Sequence, residues 1–410
     1  MLRTLLSQFR QFRRAYRQQE EWKRLNTCDA EALKLQAMPK QGQMLVVRND
    51  SIGDYLLYRP WLRQMAAVMK HRGQHLTLLA NSLWAPLAQL WDSDILTEVI
   101  AVDFGRFSKD LAYRVKILQA VGGLGVAEAI YPVHVRQAAV ENFIRFLRAP
   151  VRVGSQGSHP TGEWYAALDA GYTRLLPTTR EVLFEYYRNR EFFLHWQTLS
   201  DESTGVASSV EVAVAPLTLP ATVRQQATVM AASIGKPYVV LFPGASARQK
   251  RWPTGHFGRL AKYLHQYYGG KYQLVLAGSA ADSVLARRVQ RAAGTAVPLL
   301  NYCGKTDLPG LAALIAGAQA LISNDTVAAH LGAQAGTPCV VILMGENYGK
   351  FFPYPPELLQ TPCYCLFPPS QETRFARGDF THPSQDPDLS EIDISRVVSA
   401  VIELLTPSIA

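Results

Sequence analysis

The sequence predicts an α/β chain built from two parallel-sheet domains, with an extra helix at the N-terminus. Three observations point there. Apolar runs of strand length alternate with helical patterns from Met44 onward, and that alternation implies a parallel sheet. The 410 residues exceed one ordinary core and suggest two domains of similar size. The segment from Ala320 to Gly345 reads as a strand–turn–helix–strand unit. In it an apolar run ends in Ser323-Asn324-Asp325-Thr326, a small-residue helix follows, and Gly336-Thr337-Pro338 leads into a second apolar run. The expected division is 1–40 for the N-terminal helix and connector, 41–215 for the first domain, 216–390 for the second, and 391–410 for a C-terminal helix.

Residues 1–25 read as one basic amphipathic helix. Leu2, Leu5, Leu6, Phe9, Phe12 and Tyr16 recur at helical spacing, accompanied by Arg3, Arg10, Arg13, Arg14 and Arg17. Such a helix suits an anionic membrane surface; packing on its own body or on a second subunit is the equal alternative. Residues 26–42 read as a polar connector. Met44–Arg48, His75–Ala80, Glu98–Asp103, Ala127–Val133 and Val151–Gly154 read as strands, with helices near 83–91, 108–121 and 136–147. The glycine cluster at Gly122-Gly123-Leu124-Gly125 precedes a strand instead of following one, so it is a helix stop and not a dinucleotide fingerprint. Residues 180–199 are aromatic and helical in pattern, Val210–Val214 is a candidate strand, and a linker falls near 205–236. Tyr238–Phe242 opens the second domain, followed by strands at Gln273–Gly278 and Leu299–Gly304 and a helix over 308–318 capped by Thr306 or Asp307. A last amphipathic helix covers 390–405.

Composition narrows the function classes. A hydrophobic content of 48% with 18% charged residues describes a globular chain. No apolar run approaches the roughly 18 residues of a membrane span, and the start of the chain lacks the features of a secretory signal. Five cysteines make an odd set for a disulfide framework, so a reducing cytoplasm is expected. Cys363-Tyr364-Cys365 is too tight for an ordinary zinc half-site. The net charge of +9 favours acidic partners such as anionic lipid, phosphorylated glycan or nucleotide. No stacked-aromatic or zinc-finger pattern speaks for nucleic acid.

Three loops carry candidate chemistry. After the first strand, Asn49-Asp50-Ser51-Ile52-Gly53-Asp54 enters a helix; Gly53 lets backbone approach a ligand, and Asp54 lies in the first turn, where it also favours the helix dipole. After Phe242, the turn Pro243-Gly244-Ala245-Ser246 is followed by Arg248, Lys250 and Arg251, then Trp252-Pro253. Exposed N–H groups, the Ser246 hydroxyl and the charges of Arg248 and Lys250 are the parts needed to hold a diphosphate. At the end of the next motif, Asp325 and Thr326 stand at a helix N-cap, where free N–H groups meet an anion. His330 follows one turn later. Asp92-Ser93-Asp94 and Asp386-Pro387-Asp388 imitate a metal-binding pair but read as turns.

In this order the chain resembles glycosyltransferase family 9, the heptosyltransferase-like enzymes of bacterial surface-polysaccharide assembly. Four stretches carry the resemblance over about 44–345. They are Arg48…Ile52-Gly53-Asp54 with Pro60, Phe242–Ser246 with Lys250–Pro253, Gly304-Lys305-Thr306-Asp307-Leu308, and Ser323–Thr326…His330-Leu331 with Gly336-Thr337-Pro338. The resemblance implies a GT-B fold, two Rossmann-like domains facing a central cleft. It also implies inverting transfer without a metal, with a nucleotide-sugar as co-substrate and no other cofactor. Asp54 matches the catalytic base, with Ser51 and Gly53 in the acceptor-side loop. Ser246, Arg248, Lys250, Asp325, Thr326, Val327 and His330 match donor or phosphate positions, and the backbone N–H groups of 326–328 are expected to face the diphosphate. Glu346 and Asn347 form the donor-side loop. The implied donor is ADP-heptose, and the implied acceptor a lipopolysaccharide-core or related acidic lipid-linked glycan. The implied location is the cytoplasm, peripheral to the inner face of the inner membrane. Two departures stand out: Val327 replaces the family's glycine, and 346–356 differs from its Pro-containing turn. They leave open a non-catalytic nucleotide-sugar or glycan-binding assembly protein, or a sugar-nucleotide epimerase on the same fold.

Overall fold

The computed structural model describes residues 2–204, 213–381 and 387–406, without the side chains of 2–12, 14, 71 and 202–204. The chain divides into two compact units, Met1–Glu181 with Glu185–Val210, and Val182–Phe184 with Glu211–Ala410. The first unit holds β1 (Gln43–Arg48), β2 (His75–Asn81), β3 (Glu98–Val102), β4 (Glu128–Tyr131), β5 (Val151–Ser155) and β6 (Arg174–Leu176) in the parallel order β3-β2-β1-β4-β5-β6. The second holds β7 (Tyr238–Phe242), β8 (Gln273–Leu276), β9 (Leu299–Asn301), β10 (Ala320–Asn324), β11 (Cys339–Ile342) and β12 (Cys363–Leu366) in the order β12-β11-β10-β7-β8-β9. Counted from the first strand of each unit, both orders are the doubly wound 3-2-1-4-5-6. The order reverses between β1 and β4, and again between β7 and β10.

The central strands read as unbroken apolar runs because helices cover both faces. Every residue of β7 and of β10 is buried. In the second unit Val239, Leu241, Ile322 and Val340 meet Trp252 and Phe257 on one side of the chain's course, and Val397 and Val401 join the same core. The C-terminal helix Ile394–Leu405 is therefore a part of the second unit's core, not a separate piece.

The N-terminal helix runs from Leu2 to Ala32, through much of the expected connector. Its far end is fixed to the first unit. Leu25 packs with Trp164 and Leu168. Asp29, fully buried, accepts hydrogen bonds at 2.7 Å from the Arg114 guanidinium and from Asn142 Nδ2. Packing on its own body thus accounts for the part from Trp22 onward. The apolar residues behind the membrane reading, Leu2 to Phe12, lie outside the described side chains.

Other elements differ from expectation. The helix expected over 108–121 is two, Phe104–Lys109 and Leu111–Gly123, because the Asp103 and Asp110 carboxylates each cap a new start. The helix expected over 136–147 is a short turn at Ala138–Glu141 followed by 3-10 residues Asn142–Phe146. The helices Glu163–Asp169 and Pro369–Ala376 and the edge strands β6 and β12 were not expected. The strand expected at Val210–Val214 lies mostly outside the described residues, and 213–214 are irregular.

Candidate functional site

In the second unit the loops after β7, β10 and β11 leave the carboxyl ends of three adjacent strands. That is where a doubly wound sheet binds ligands. Thr326 caps the helix Val327–Ala335, its Oγ1 accepting from the Ala328 N–H at 3.2 Å. Of the three N–H groups expected to face an anion, that of Ala328 is therefore already engaged. The small residues seat this helix tightly against the sheet: a Cβ on Gly332 would lie 2.5 Å from Cys339 Sγ.

Asp325, beside the cap, turns elsewhere. Lys250 Nζ lies 3.6 Å from its carboxylate and pairs closely with Glu346 as well. One ammonium, contributed by the β7 loop, thus sits between two carboxylates contributed by the β10 and β11 loops. Burial raises the Asp325 pKa, and the nearby lysine only partly offsets it. Burial works against the charged form of Lys250, but the hydrogen bond to Glu346 and the charge of Asp325 outweigh it, so the lysine holds its proton more firmly than usual. Asn347 reaches back to Glu346 at 3.4 Å. Ser246 and Arg248 are exposed on the same β7 loop.

Two residues with no role in the sequence reading hold this arrangement. Asn324, fully buried at the end of β10, accepts the Trp252 N–H at 3.0 Å and donates to Pro243 O at 2.9 Å. Arg251, read as one of three loop cations, donates to Ala245 O at 2.6 Å and 2.9 Å. Gly244 is required by close approach, since a Cβ there would lie 2.7 Å from the Asp282 carboxylate.

His330 is 5% exposed, with Nδ1 2.8 Å from the Tyr354 hydroxyl and its ring 4.8 Å from that of Phe352. Burial pushes its pKa down to about 3. The imidazole is neutral at physiological pH and offers a ligand no positive charge; it supports the aromatic loop that follows Glu346. Val327 begins the helix and keeps its backbone N–H.

In the first unit the loop after β1 also stands at the switch point. Asp54 is the third residue of the helix Ile52–His71, and its Oδ2 accepts the Ser51 N–H at 3.1 Å and the Ser51 hydroxyl. Both bonds run from Ser51 to Asp54 and fix its side chain at the start of the helix. Gly53 beside it is buried. Beneath lies a cluster the sequence reading left out. Arg48, 1% exposed, pairs with Asp50, approaches Glu185 at 3.9 Å, donates to Asn189 Oδ1 at 3.0 Å, and lies 4.1 Å from the Tyr58 ring. Burial drives the Asp50 carboxyl up to about 7 and that of Glu185 to about 8, against the pull of Arg48 and with a further push from Asp54. An arginine at the end of an apolar strand, two residues before an aspartate, was the available signal, since a buried guanidinium demands partners.

Asp92 and Asp94 stand in the bend and turn that follow the helix Ala85–Trp91, where arginines engage them. Asp92 is fully buried against Arg59 at 2.9 Å and Arg63 at 3.0 Å, and Asp94 meets Arg63 at 2.6 Å. Asp386 lies outside the described residues.

Comparisons with known proteins agree with this geometry. Residues 185–361 match the model of glycosyltransferase family 9 (heptosyltransferase). The chain is 34% identical over 121 residues to lipopolysaccharide heptosyltransferase 2 of Escherichia coli K12, covering 29% of this chain and 34% of that protein. It is 28% identical over 185 residues to lipopolysaccharide heptosyltransferase 3 of Escherichia coli, covering 43% and 49%. The matches thus span between a third and a half of these curated relatives. Among solved structures, the glycosyl transferase family 9 protein of Veillonella parvula aligns with a TM-score of 0.64 at 19% identity, over 90% of this chain and 99% of that one. An Escherichia coli heptosyltransferase with ADP-2-deoxy-2-fluoro heptose aligns with a TM-score of 0.61 at 19% identity, over 88% and 99%. At that identity the likeness is one of fold: two Rossmann-like domains of the GT-B class.

Proposed function

We propose that the chain is an inverting, metal-independent glycosyltransferase of the heptosyltransferase type, a reading supported by the match of residues 185–361 to the family 9 model. It moves a sugar from a nucleotide-sugar onto a lipopolysaccharide-core or related surface glycan. The observation that carries the reading is Lys250 held between Asp325 and Glu346 at the carboxyl edge of the second sheet. In the reaction the acceptor hydroxyl oxygen bonds to the anomeric carbon as the bond from that carbon to the diphosphate breaks. The nucleoside diphosphate leaves with the electron pair, and the hydroxyl proton passes to the Asp54 carboxylate. Lys250 meets the charge that grows on the leaving diphosphate. Once Lys250 turns to phosphate, Asp325 and Glu346 are left as acceptors for hydroxyl groups of the donor.

ADP-heptose is the donor we infer. The similar curated proteins are named heptosyltransferases, and one neighbouring fold holds an ADP-heptose analogue. Work at the inner face of the inner membrane goes with that acceptor. Among the described residues no helix is long and apolar enough to cross a bilayer.

The test is titration calorimetry of the full chain with ADP, UDP, GDP and CDP, followed by turnover with ADP-heptose and a lipopolysaccharide acceptor. We expect ADP to bind and Lys250→Ala to weaken it about 10-fold or more. Asp54→Asn should keep ADP binding and lose roughly 10²–10⁴-fold in turnover. Wild-type turnover in Asp54→Asn would remove the base role. Altered sugar-nucleotide without acceptor would favour an epimerase, and no nucleotide binding at all a non-catalytic glycan-binding protein.

A further inference from the structure

In the second unit the helices Thr254–Tyr267 and Ser283–Ala293 lie side by side over one face of the sheet. Their buried sides supply Phe257, Leu260, Leu264, Ala286 and Val289 to the same core as Val239 and Leu274. They approach closely, since a Cβ on Gly258 would lie 2.4 Å from that of Ala292. Helical spacing then turns one stripe of each helix outward. On the first, Arg259, Lys262, Tyr263 and Tyr267 are exposed. On the second, Val284, Arg287, Arg288 and Arg291 are exposed.

This outward face carries charge of one sign. Neither helix contains an aspartate or a glutamate. An ordinary solvent-facing helix interleaves the two signs and pairs them three or four residues apart. Here, among the described residues, none of the five cations enters an ion pair. The carboxylates at the border are taken up as caps: Asp282 accepts from the Ser279 hydroxyl at 2.7 Å, and Asp393 from the Ser395 N–H at 2.8 Å. Five like charges on two touching helices repel one another, and an anionic surface relieves that repulsion. A second copy of the same face would add to it.

The uncharged residues decide which anionic surface fits. Tyr263 and Tyr267 stack at 5.7 Å, and Tyr268 meets Tyr267 edge-on at 5.0 Å. Rings that cover one another offer little to a nucleobase, which needs an open aromatic face. They suit the headgroup level of a bilayer, where a tyrosine sets its body against apolar chains and its hydroxyl in water. Val284, 48% exposed, adds an apolar side chain on the neighbouring stripe.

We propose that this face docks the protein on an anionic phospholipid bilayer, its arginines and Lys262 at lipid phosphates and Tyr263, Tyr267 and Val284 at the headgroup boundary. The proposal rests on the membrane location inferred above and deepens it, placing the contact on the second unit instead of the N-terminal helix. Full-length protein is co-sedimented with vesicles of phosphatidylglycerol in phosphatidylcholine and with vesicles of phosphatidylcholine alone, and polyuridylate is titrated in parallel. The triple variant Arg287→Gln, Arg288→Gln, Arg291→Gln is expected to lower partitioning onto the anionic vesicles about 100-fold. The control Lys23→Gln, Lys34→Gln, Lys116→Gln removes the same net charge from exposed positions of the first unit and should leave partitioning unchanged. Tyr263→Ser with Tyr267→Ser should weaken it several-fold and leave its salt dependence in place. Unchanged partitioning in the arginine variant would overturn the proposal and return the contact to another part of the chain. Equal losses in that variant and its control, equal binding to both kinds of vesicle, no binding to either, or binding of polyuridylate alone would overturn it as well. ADP titration of the same proteins reports separately on the Lys250 site. ADP binding without vesicle binding sinks the docking face alone; vesicle binding without ADP binding upholds the face and sinks the transferase reading.

Discussion

At the scale of the residue, the sequence disclosed the charged loop residues of the candidate site better than those that hold them. Lys250, Asp325 and Glu346 were each legible as loop charges, and the structure brings them together. Asn324 was not, because an asparagine inside a turn motif looks the same whether it faces solvent or ties two loops. Asn324→Ala would leave the Trp252 N–H and the Pro243 carbonyl without their partner. We expect a loss on the order of 3 kcal/mol in urea unfolding of the second unit, with ADP affinity falling too. A change within 0.5 kcal/mol would show that water replaces it. The Arg48 cluster supplies a pH prediction. Glu185 holds its proton to about pH 8, well above the unfolded range. The folded chain therefore binds more protons than the unfolded one between those values. The contribution is full below the unfolded pKa and is lost as pH rises through about 8. Melting temperature should fall from pH 6 to pH 9 in the wild type and fall less in Glu185→Gln. Equal slopes would deny the cluster that role.

At the scale of the element, long periodic runs were legible and short capped ones were not. The strands β1, β2, β7 and β10 stand where unbroken apolar runs placed them. The helix expected over 108–121 broke in two because a capping aspartate, Asp110, sits inside an otherwise helical pattern. Edge strands β6 and β12 carry few residues and no strong alternation, so tertiary pairing alone defines them. The N-terminal helix was seen, but not its anchor, since a contact between Asp29 and Arg114 is 85 residues distant in sequence. Asp29→Ala leaves a buried guanidinium without its carboxylate, and we expect a loss of about 3–5 kcal/mol in the first unit. Pairing it with Arg114→Met should return part of that. No recovery would mean that the ion pair is not what fixes the helix.

At the scale of the whole molecule, one topology is used twice. Each unit places a candidate-site loop at the carboxyl end of its first strand, beside the reversal of strand order. Alternating patterns announced two such sheets, whereas strand order depends on crossovers that no local pattern encodes. Binding to native protein alone stabilises by mass action, so ADP at 100 times its Kd should add about 2.7 kcal/mol to the unfolding of the second unit. Hydrogen exchange should slow first in the loops after β7, β10 and β11. Protection confined to the first unit would place the nucleotide elsewhere.

The lysine held between two acidic side chains has a consequence for discrimination. Its own neighbours already satisfy it, so any incoming anion competes with them rather than filling a vacancy. Bare pyrophosphate would win the ammonium and then face Asp325 and Glu346 with nothing to offer them. A glycosylated nucleotide brings hydroxyls to those same oxygens. Under the proposed function, the site would thereby disfavour the inorganic fragment and favour the complete molecule, using internal rivalry where a snug wall would otherwise be needed.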